Sequence, residues 1–373
     1  MTGAEADLVW MRAALALARR GLGNVWPNPA VGCVIVKDGI AVGRGWTQPG
    51  GRPHAETEAL RRAGEAARGA TAYVTLEPCC HWGRTPPCTD ALLAAGIARC
   101  VIALRDPDPR VNGEGITRLA AGGVSVTEGV AEAQAAEVNL GFVSRIRAGR
   151  PMVTLKLAST LDGRIAAPNG ESRWISGEAS RRVAHMLRAA HDAVLVGAGT
   201  AAADDPALTV RIAGLVPGGR PGPVRVVADG RLRMPLTSVL VATARETPTW
   251  VLTLPGNDRA RIGALAEAGC TVIEVKQDPA TGQPDLADAL RALSGRGITR
   301  VLAEGGGTLA AALLSADLVD RLAWFGAPAL IGADGVPAIA ALGLPGIGAM
   351  PRFRRLSLAF PGGDLFLQLA REE

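Results

Sequence analysis

The sequence predicts an α/β protein of two domains, and three observations predict it. The 373 residues are 48% hydrophobic and 20% charged, a globular composition. That length exceeds what a single hydrophobic core usually serves. Short apolar runs alternate with stretches of helical spacing, as in sheets layered with helices. The alternation runs as far as Ala148-Gly149-Arg150-Pro151 and then starts again.

In the first half, Leu8, Met11, Leu15 and Ala18 recur at helical spacing, and a glycine- and proline-bearing stretch over 21–28 ends that helix. Strands are expected over 31–36 and 40–45, flanking Asp38-Gly39, a dipeptide suited to a tight hairpin. A helix follows over 53–67, a strand over 71–76, a helix over 89–95 and a strand over 100–104. Residues 124–127 read as an edge strand and 131–147 as a last helix before the linker. The second half predicts strands near 153–157, 193–196, 224–228, 250–254, 272–275 and 301–303, with helices between most of them.

Composition excludes several function classes. The 40 basic and 35 acidic residues leave a net charge of +5 spread over both halves, so neither half reads as a nucleic-acid-binding polycation. The most apolar stretch, 327–350, is interrupted by Asp334, Pro337 and Pro345, so no membrane-spanning helix is expected. Glu5 and Asp7 precede any basic residue while Arg19 and Arg20 follow the apolar part, the reverse of a secretory signal. The cytoplasm is the expected location. Three of the six cysteines, Cys79, Cys80 and Cys88, fall within ten residues, which in a reducing compartment points to metal or catalysis.

His54-Ala55-Glu56 opens a predicted helix, and Pro78-Cys79 follows the next strand, with Cys88 further on. A His-x-Glu with a later Pro-Cys and second cysteine is the zinc signature of nucleobase deaminases. One imidazole and two thiolates hold zinc tetrahedrally and leave a fourth position for water, whose pKa falls toward neutrality. Deamination also needs a carboxylate to move protons from that water to a ring nitrogen and the departing ammonia. Glu56 is the acid beside a candidate ligand, and it is expected to face the water and not the metal. The general signature has two residues between its cysteines, whereas eight, 80–87, stand here. Cys80 and His81 lie in that loop, so an open catalytic zinc, a closed structural zinc and no metal are the readings weighed.

The run Pro78-Cys79-Cys80-His81-Trp82-Gly83-Arg84-Thr85-Pro86-Pro87-Cys88, with Pro27-Asn28-Pro29-Ala30-Val31-Gly32 upstream, closely resembles the deaminase half of the bifunctional deaminase/reductase family of riboflavin biosynthesis. The long cysteine loop is typical of that family. The resemblance implies a cytidine-deaminase-like α/β/α domain with one Zn2+ per chain on His54, Cys79 and Cys88. It implies Glu56 as proton shuttle and Asn28, His81 and Arg84 against the pyrimidine substrate or its phosphate. Cys80 stands where family members commonly carry serine.

In the second half, Glu304-Gly305-Gly306-Gly307-Thr308-Leu309 carries the chain from a buried strand into a helix, a turn of the kind that can bind phosphate. Alone it matches no dinucleotide fingerprint. Lys156-Leu157-Ala158-Ser159-Thr160-Leu161-Asp162-Gly163-Arg164, Ser172-Arg173-Trp174-Ile175 and Asp204-Asp205-Pro206-Ala207-Leu208-Thr209-Val210-Arg211 resemble the same family's reductase domain. The resemblance implies a dihydrofolate-reductase-like α/β domain in which NADPH reduces the ribosyl side chain of the deaminated product to ribityl. It implies NADPH near Ala158, Trp174, Thr200, Asp204 and Gly305, Gly306, Gly307, Thr308 and Leu309, and substrate near Ser172, Arg188, Leu208, Arg211 and Glu304. Asp204 is the candidate proton donor. Arginines can grip a sugar phosphate, and the cofactor brings the hydride chemistry itself. The plainer readings are a turn at Asp204-Asp205-Pro206, a core role for Trp174 and solvated charge for the arginines. Gly230 stands where the family often has serine and is assigned no role. No distinct patch for a 2′-phosphate is legible.

The expected enzyme therefore has a zinc-dependent pyrimidine deaminase domain over 1–147 and an NADPH-dependent reductase domain over 151–373. Its partners would be a small phosphorylated pyrimidine and further copies of itself in a homo-oligomer, with no nucleic acid and no membrane. The rival readings are a nucleic-acid-editing zinc deaminase with an accessory domain, which needs a basic groove and stacking aromatics, and a non-catalytic zinc-stabilised binding protein. Aromatics make up only 3% of the chain.

Overall fold

The computed structural model describes residues 3–212 and 222–372, and the chain divides into two units, Met1–Gly149 and Arg150–Glu373. The first begins with α1 (Gly3–Ala18), whose Met11, Ala14, Leu15 and Ala18 are buried. Strands β1 (Gly32–Lys37) and β2 (Ile40–Trp46) form the expected hairpin. Its turn holds Asp38 at φ 52° and Gly39 at φ 74°, the left-handed region that a two-residue hairpin turn of this kind requires. Then follow α2 (Ala55–Ala63), β3 (Thr71–Val74), α3 (Cys88–Ala94), β4 (Arg99–Ile102), α4 (Glu114–Ala121), β5 (Ser125–Glu128), α5 (Glu132–Val138) and α6 (Leu140–Ala148).

The sheet order is β2-β1-β3-β4-β5, with β1 antiparallel to both neighbours and β3, β4 and β5 parallel. Strand alternation splits the core. Cys33 and Ile35 join Ala59, Leu92 and Leu119 from α2, α3 and α4, while Val34 and Val36 join Met11, Leu15, Ala135 and Val138 from α1 and α5. Helices thus cover both faces. A Cβ on Gly43 or Gly45 would strike the carbonyl oxygens of Ala59 and Ala55, so α2 lies against β2 backbone to backbone, which fixes where its first turn points.

The helix expected over 131–147 is two helices, α5 and α6. It breaks at Asn139, whose carboxamide accepts from Ala30 N at 3.0 Å and donates to Ala30 O at 3.2 Å. Asn139 thereby pins the segment that carries Asn28. Helix α4 was not anticipated.

The second unit contains β6 (Met152–Thr160), β7 (Arg164–Ala166), α7 (Glu178–Ala189), β8 (Ala193–Gly197), α8 (Ala198–Asp204), β9 (Val224–Ala228), α9 (Val239–Ala242), β10 (Thr249–Thr253), α10 (Arg259–Glu267) and β11 (Thr271–Glu274). It continues with α11 (Leu286–Gly295), β12 (Arg300–Ala303), α12 (Gly307–Ser315), β13 (Arg321–Ala327), β14 (Val336–Pro337), β15 (Phe353–Ala359) and β16 (Leu365–Arg371). The nine-stranded order is β11-β10-β9-β8-β12-β6-β13-β16-β15, while β14 pairs with β7. The strands from β11 to β13 are mutually parallel, so their C-terminal ends share one edge of the sheet, where open α/β sheets bind ligands. Strands β16 and β15 add antiparallel pairs that the sequence did not suggest. Among the described residues no helix is long and apolar enough to cross a membrane. All six cysteines are free thiols.

Candidate functional site

Three segments of the first unit converge. His54 is the N-cap residue of α2, Cys79 lies beyond the end of β3, and Cys88 is the first residue of α3. The ligand atoms of these residues all lie within 4.8 Å of one another. His54 Nδ1 is 3.3 Å from Cys88 Sγ and 3.7 Å from Cys79 Sγ, and the Cys88 backbone N–H donates to Cys79 Sγ at 3.3 Å. Bonds of about 2.0–2.3 Å from zinc to imidazole nitrogen and thiolate suit such a cluster, so the donor set fits the ion. Cys80 stays outside it, its thiol directed at Arg110 O, 3.8 Å away, and His81 is no member either.

The hydrogen bond from the Cys88 thiol is the main force pulling Cys79 down to about 4, with His54 adding to it. Helix N-termini favour thiolates in the same way. Glu56, in the first turn of α2, is 3% exposed and is pushed up to about 7, chiefly by burial. It lies outside the ligand cluster but lines the same cavity.

That cavity holds about 230 Å³ and is also lined by Asn28, Arg52, His81, Asp106, Asp108, Arg110, Phe142 and Arg145. Asn28 reaches it past Gly51, where an added Cβ would collide with the Asn28 amide. His81 Nδ1 is buried without a hydrogen-bond partner among the described residues. Arg84 is exposed on the cysteine loop and does not line the cavity. The sequence reading missed Arg52, Asp106, Asp108, Arg110 and Arg145. The signal for three of them was Asp106-Pro107-Asp108-Pro109-Arg110, a proline-rich loop at the C-terminal end of a parallel strand. Burial lifts Asp106 to about 6, while Arg110, at 2.5 Å, holds Asp108 below the usual carboxylate range.

In the second unit, β12 runs into Glu304 and the glycine turn, and Gly306 caps α12 without any side-chain cap. The Gly306 N–H donates to Thr200 Oγ1 at 3.3 Å, joining this turn to the one after β8. A Cβ on Gly197 or Gly199 would meet nothing within 4 Å, so open space lies before the turn after β8, whereas one on Gly307 would strike Pro337 O. The N–H groups of a helix's first turn are the kind of donor that a dinucleotide's pyrophosphate takes.

Arg188 and Glu304 meet as a nearly buried pair, with Nε to Oε1 at 2.6 Å and Nη2 to Oε2 at 2.9 Å. Arg188 Nη1 also donates to Thr209 O at 3.0 Å, so the pair holds the segment from Leu208 to Arg211. Leu208 is buried at φ 51°. Arg211 is exposed, with its Nε 3.5 Å from His185 Nε2. Asp204 is exposed at the end of α8, and its carbonyl takes a 3.5 Å bond from Arg173, which ties in the loop bearing Ser172 and Trp174. Trp174 is 67% exposed under the Arg181 guanidinium, so it is not a core residue. Ala158 lies on β6, the neighbour of β12.

Comparison with known proteins agrees with this division. The family described as "RibD C-terminal domain" matches residues 151–359, and the "Cytidine and deoxycytidylate deaminase zinc-binding region" matches residues 4–104. The chain is 43% identical over 366 residues to the riboflavin biosynthesis protein RibD of Escherichia coli (strain K12), covering 97% of this chain and 99% of that one. It is 42% identical over 367 residues to the RibD of Aquifex aeolicus, covering 98% and 99%. A solved structure of Acinetobacter baumannii RibD superimposes with a TM-score of 0.88 at 39% identity, covering 99% of this chain and 100% of that one. A Thermotoga maritima diaminohydroxyphosphoribosylaminopyrimidine deaminase/5-amino-6-(5-phosphoribosylamino)uracil reductase gives 0.84 at 34% identity, covering 99% of each.

Proposed function

The chain belongs to the RibD family and is a bifunctional deaminase and reductase of riboflavin biosynthesis, and from that footing we propose which residues carry each step. The deaminase, over 1–147, takes a diaminopyrimidinone ribosylamino phosphate and exchanges its C2 amine for an oxo group with loss of ammonia. His54, Cys79 and Cys88 would hold the zinc, since their ligand atoms all lie within 4.8 Å of one another. A zinc ion there supplies an acidified water. Glu56 would take a proton from the attacking water and deliver protons to the ring nitrogen and the leaving amine. Asn28 and His81 would orient the pyrimidine from the cavity wall, where Arg52 also stands, and Arg84 would reach its phosphate from the exposed cysteine loop.

The reductase, over 151–373, then reduces the ribosyl chain to ribityl. NADPH supplies the hydride. The N–H groups of Gly307 and Thr308 would receive its pyrophosphate, while Gly306, bonded to Thr200 Oγ1, shapes the turn with Gly305 and Leu309. Ala158 and Trp174 would help hold the cofactor. Ser172, Leu208 and Arg211 contact the substrate, Arg188 and Glu304 fix the loop around it, and Asp204 supplies the balancing proton. The exposed edge strand β15, continued by Phe360, presents Leu356 and Leu358 and supports a homo-oligomer. Free thiols fit the cytoplasm. The reading needs no nucleic acid and no membrane.

The observation that carries the deaminase assignment is Glu56, buried against the cavity beside a three-ligand cluster of which it is not part. Glu56→Gln is expected to keep one zinc per chain and to lose about 10²–10⁴-fold in deamination, while reduction of the deaminated intermediate continues. Full deaminase activity in that variant would contradict the assignment.

A further inference from the structure

Beside Arg211 stands a side chain that neither step has used, His185 of α7. His185 and Arg188 are three residues apart, so they share a face of the helix, and both reach the segment from Leu208 to Arg211. His185 Nδ1 is 3.1 Å from Thr209 O and 3.3 Å from the Arg211 backbone nitrogen, and its Nε2 is 3.5 Å from Arg211 Nε. Arg188 Nη1 already holds Thr209 O at 3.0 Å, and Leu208 is buried, so the segment keeps its course without His185. What depends on His185 is the direction of the Arg211 side chain.

The bonding capacity of an imidazole decides what that contact does. A carbonyl oxygen only accepts, and both Arg211 nitrogens only donate. With the proton on Nδ1, the ring donates to Thr209 O and its Nε2 lone pair accepts from Arg211 Nε. With the proton on Nε2, the Nδ1 lone pair accepts from the Arg211 backbone N–H. Each neutral form therefore takes a hydrogen from Arg211, whereas the imidazolium takes none and meets the guanidinium as a like charge. The surroundings favour the neutral ring. Arg188 on α7 and Arg211 from the facing segment oppose a second proton, while Glu304, beyond β12, favours one but is paired with Arg188. One turn back on α7, Arg182 is paired with Glu178 and Arg181 lies over Trp174. Burial, with Arg188 and Arg211, holds His185 below the ordinary imidazole range. An exposed arginine already held in place loses less freedom when it binds substrate.

We propose that His185, as a neutral imidazole, is the positioning residue for Arg211, and that its protonation frees Arg211 and weakens the hold of the reductase on its substrate. The proposal rests on reading Arg211 as a substrate contact. Steady-state kinetics of reduction by the full, zinc-loaded chain test it, with the deaminated intermediate varied at saturating NADPH between pH 8 and pH 5. At pH 8, His185→Ala should raise KM for the intermediate about three- to tenfold, with kcat unchanged. An unchanged KM for NADPH reports that the second unit is folded. His185→Gln, whose amide can donate to Thr209 O or accept from Arg211, should restore most of the loss. The substrate phosphate titrates at about pH 6 in every variant, so the ratio of KM values, and not KM itself, reports the histidine. The ratio of the His185→Ala variant to the unsubstituted chain should narrow as the pH falls. A ratio constant with pH, or a loss in kcat in place of KM, overturns the proposal. Arg211→Ala separates the two readings. If it raises KM and His185→Ala adds nothing in that background, both stand, whereas a full further loss from His185→Ala overturns the role of the histidine alone. An unchanged KM in Arg211→Ala overturns both.

Discussion

Both carboxylate oxygens of Glu77 lie 2.9 Å from the backbone N–H of Gly113 and accept from it. Oε1 also accepts from Gly115 N at 2.9 Å and Ile116 N at 3.3 Å, and Oε2 from Asp106 N at 3.2 Å. Glu77 is 3% exposed and caps α4, which has no side-chain cap of its own. It thereby ties the loop bearing Asp106, Asp108 and Arg110 to the strand end bearing Cys79. Glu77→Gln would aim an amide N–H at backbone donors, at a cost of about 1–3 kcal/mol in stability. Thermal unfolding should come earlier and the deaminase KM should rise, with zinc content and reduction unchanged. An unaltered Tm and KM would count against this role.

The Arg188–Glu304 pair leaves its side chains only 15% and 9% exposed. Lys156, held below the usual ammonium range by burial, also feels the Glu304 charge. Glu304→Gln would strand a buried guanidinium beside that ammonium, with a loss of about 3–5 kcal/mol. Denaturant titration of the second unit should show it. Reduction should fall steeply while deamination continues, and equal loss of both activities would contradict a local effect.

His191 lies between Leu187 O at 2.6 Å and the Thr154 hydroxyl at 2.8 Å, and burial pushes it down to about 3. Its imidazole is neutral in the fold but charges readily once unfolded, so its contribution is complete above the ordinary pKa of about 6.5 and fades as pH falls toward 3. At pH 5 the loss is about 2 kcal/mol. His191→Gln should flatten the stability of the second unit between pH 7 and 5, and an unchanged slope would assign acid sensitivity elsewhere.

Zinc removal separates the two activities. A chelator should abolish deamination and spare reduction, with activity returning on zinc addition. Cys79→Ser should lower the zinc content, whereas Cys80→Ser should leave one zinc per chain, because Cys80 lies outside the cluster. Loss of zinc from the Cys80 variant would mean a closed four-ligand site.

The meeting of His54, Cys79 and Cys88 was legible because these residues sit in short motifs: a helix start, a strand end and the next helix start. Asp38-Gly39 was legible for the same local reason. What escaped depends on contacts between distant residues. Asn139 breaks a helical pattern because Ala30 takes its carboxamide, and α4 is capped from Glu77, far back in the sequence. Arginine reads as surface charge in a sequence, yet Arg225 is fully buried and donates to Thr243 Oγ1, Thr249 Oγ1 and Thr247 O. Strand β15 is exposed along most of its length, so burial imposes little alternation on it.

Mass spectrometry of products most directly tests the central claim that one chain performs both steps in order. The purified protein would be given the diaminopyrimidinone ribosylamino phosphate with and without NADPH. The account predicts exchange of an amine for an oxo group without NADPH, and a further gain of two hydrogens when it is present. Neither mass change from fully zinc-loaded protein, or hydrogen gain without deamination, would contradict it.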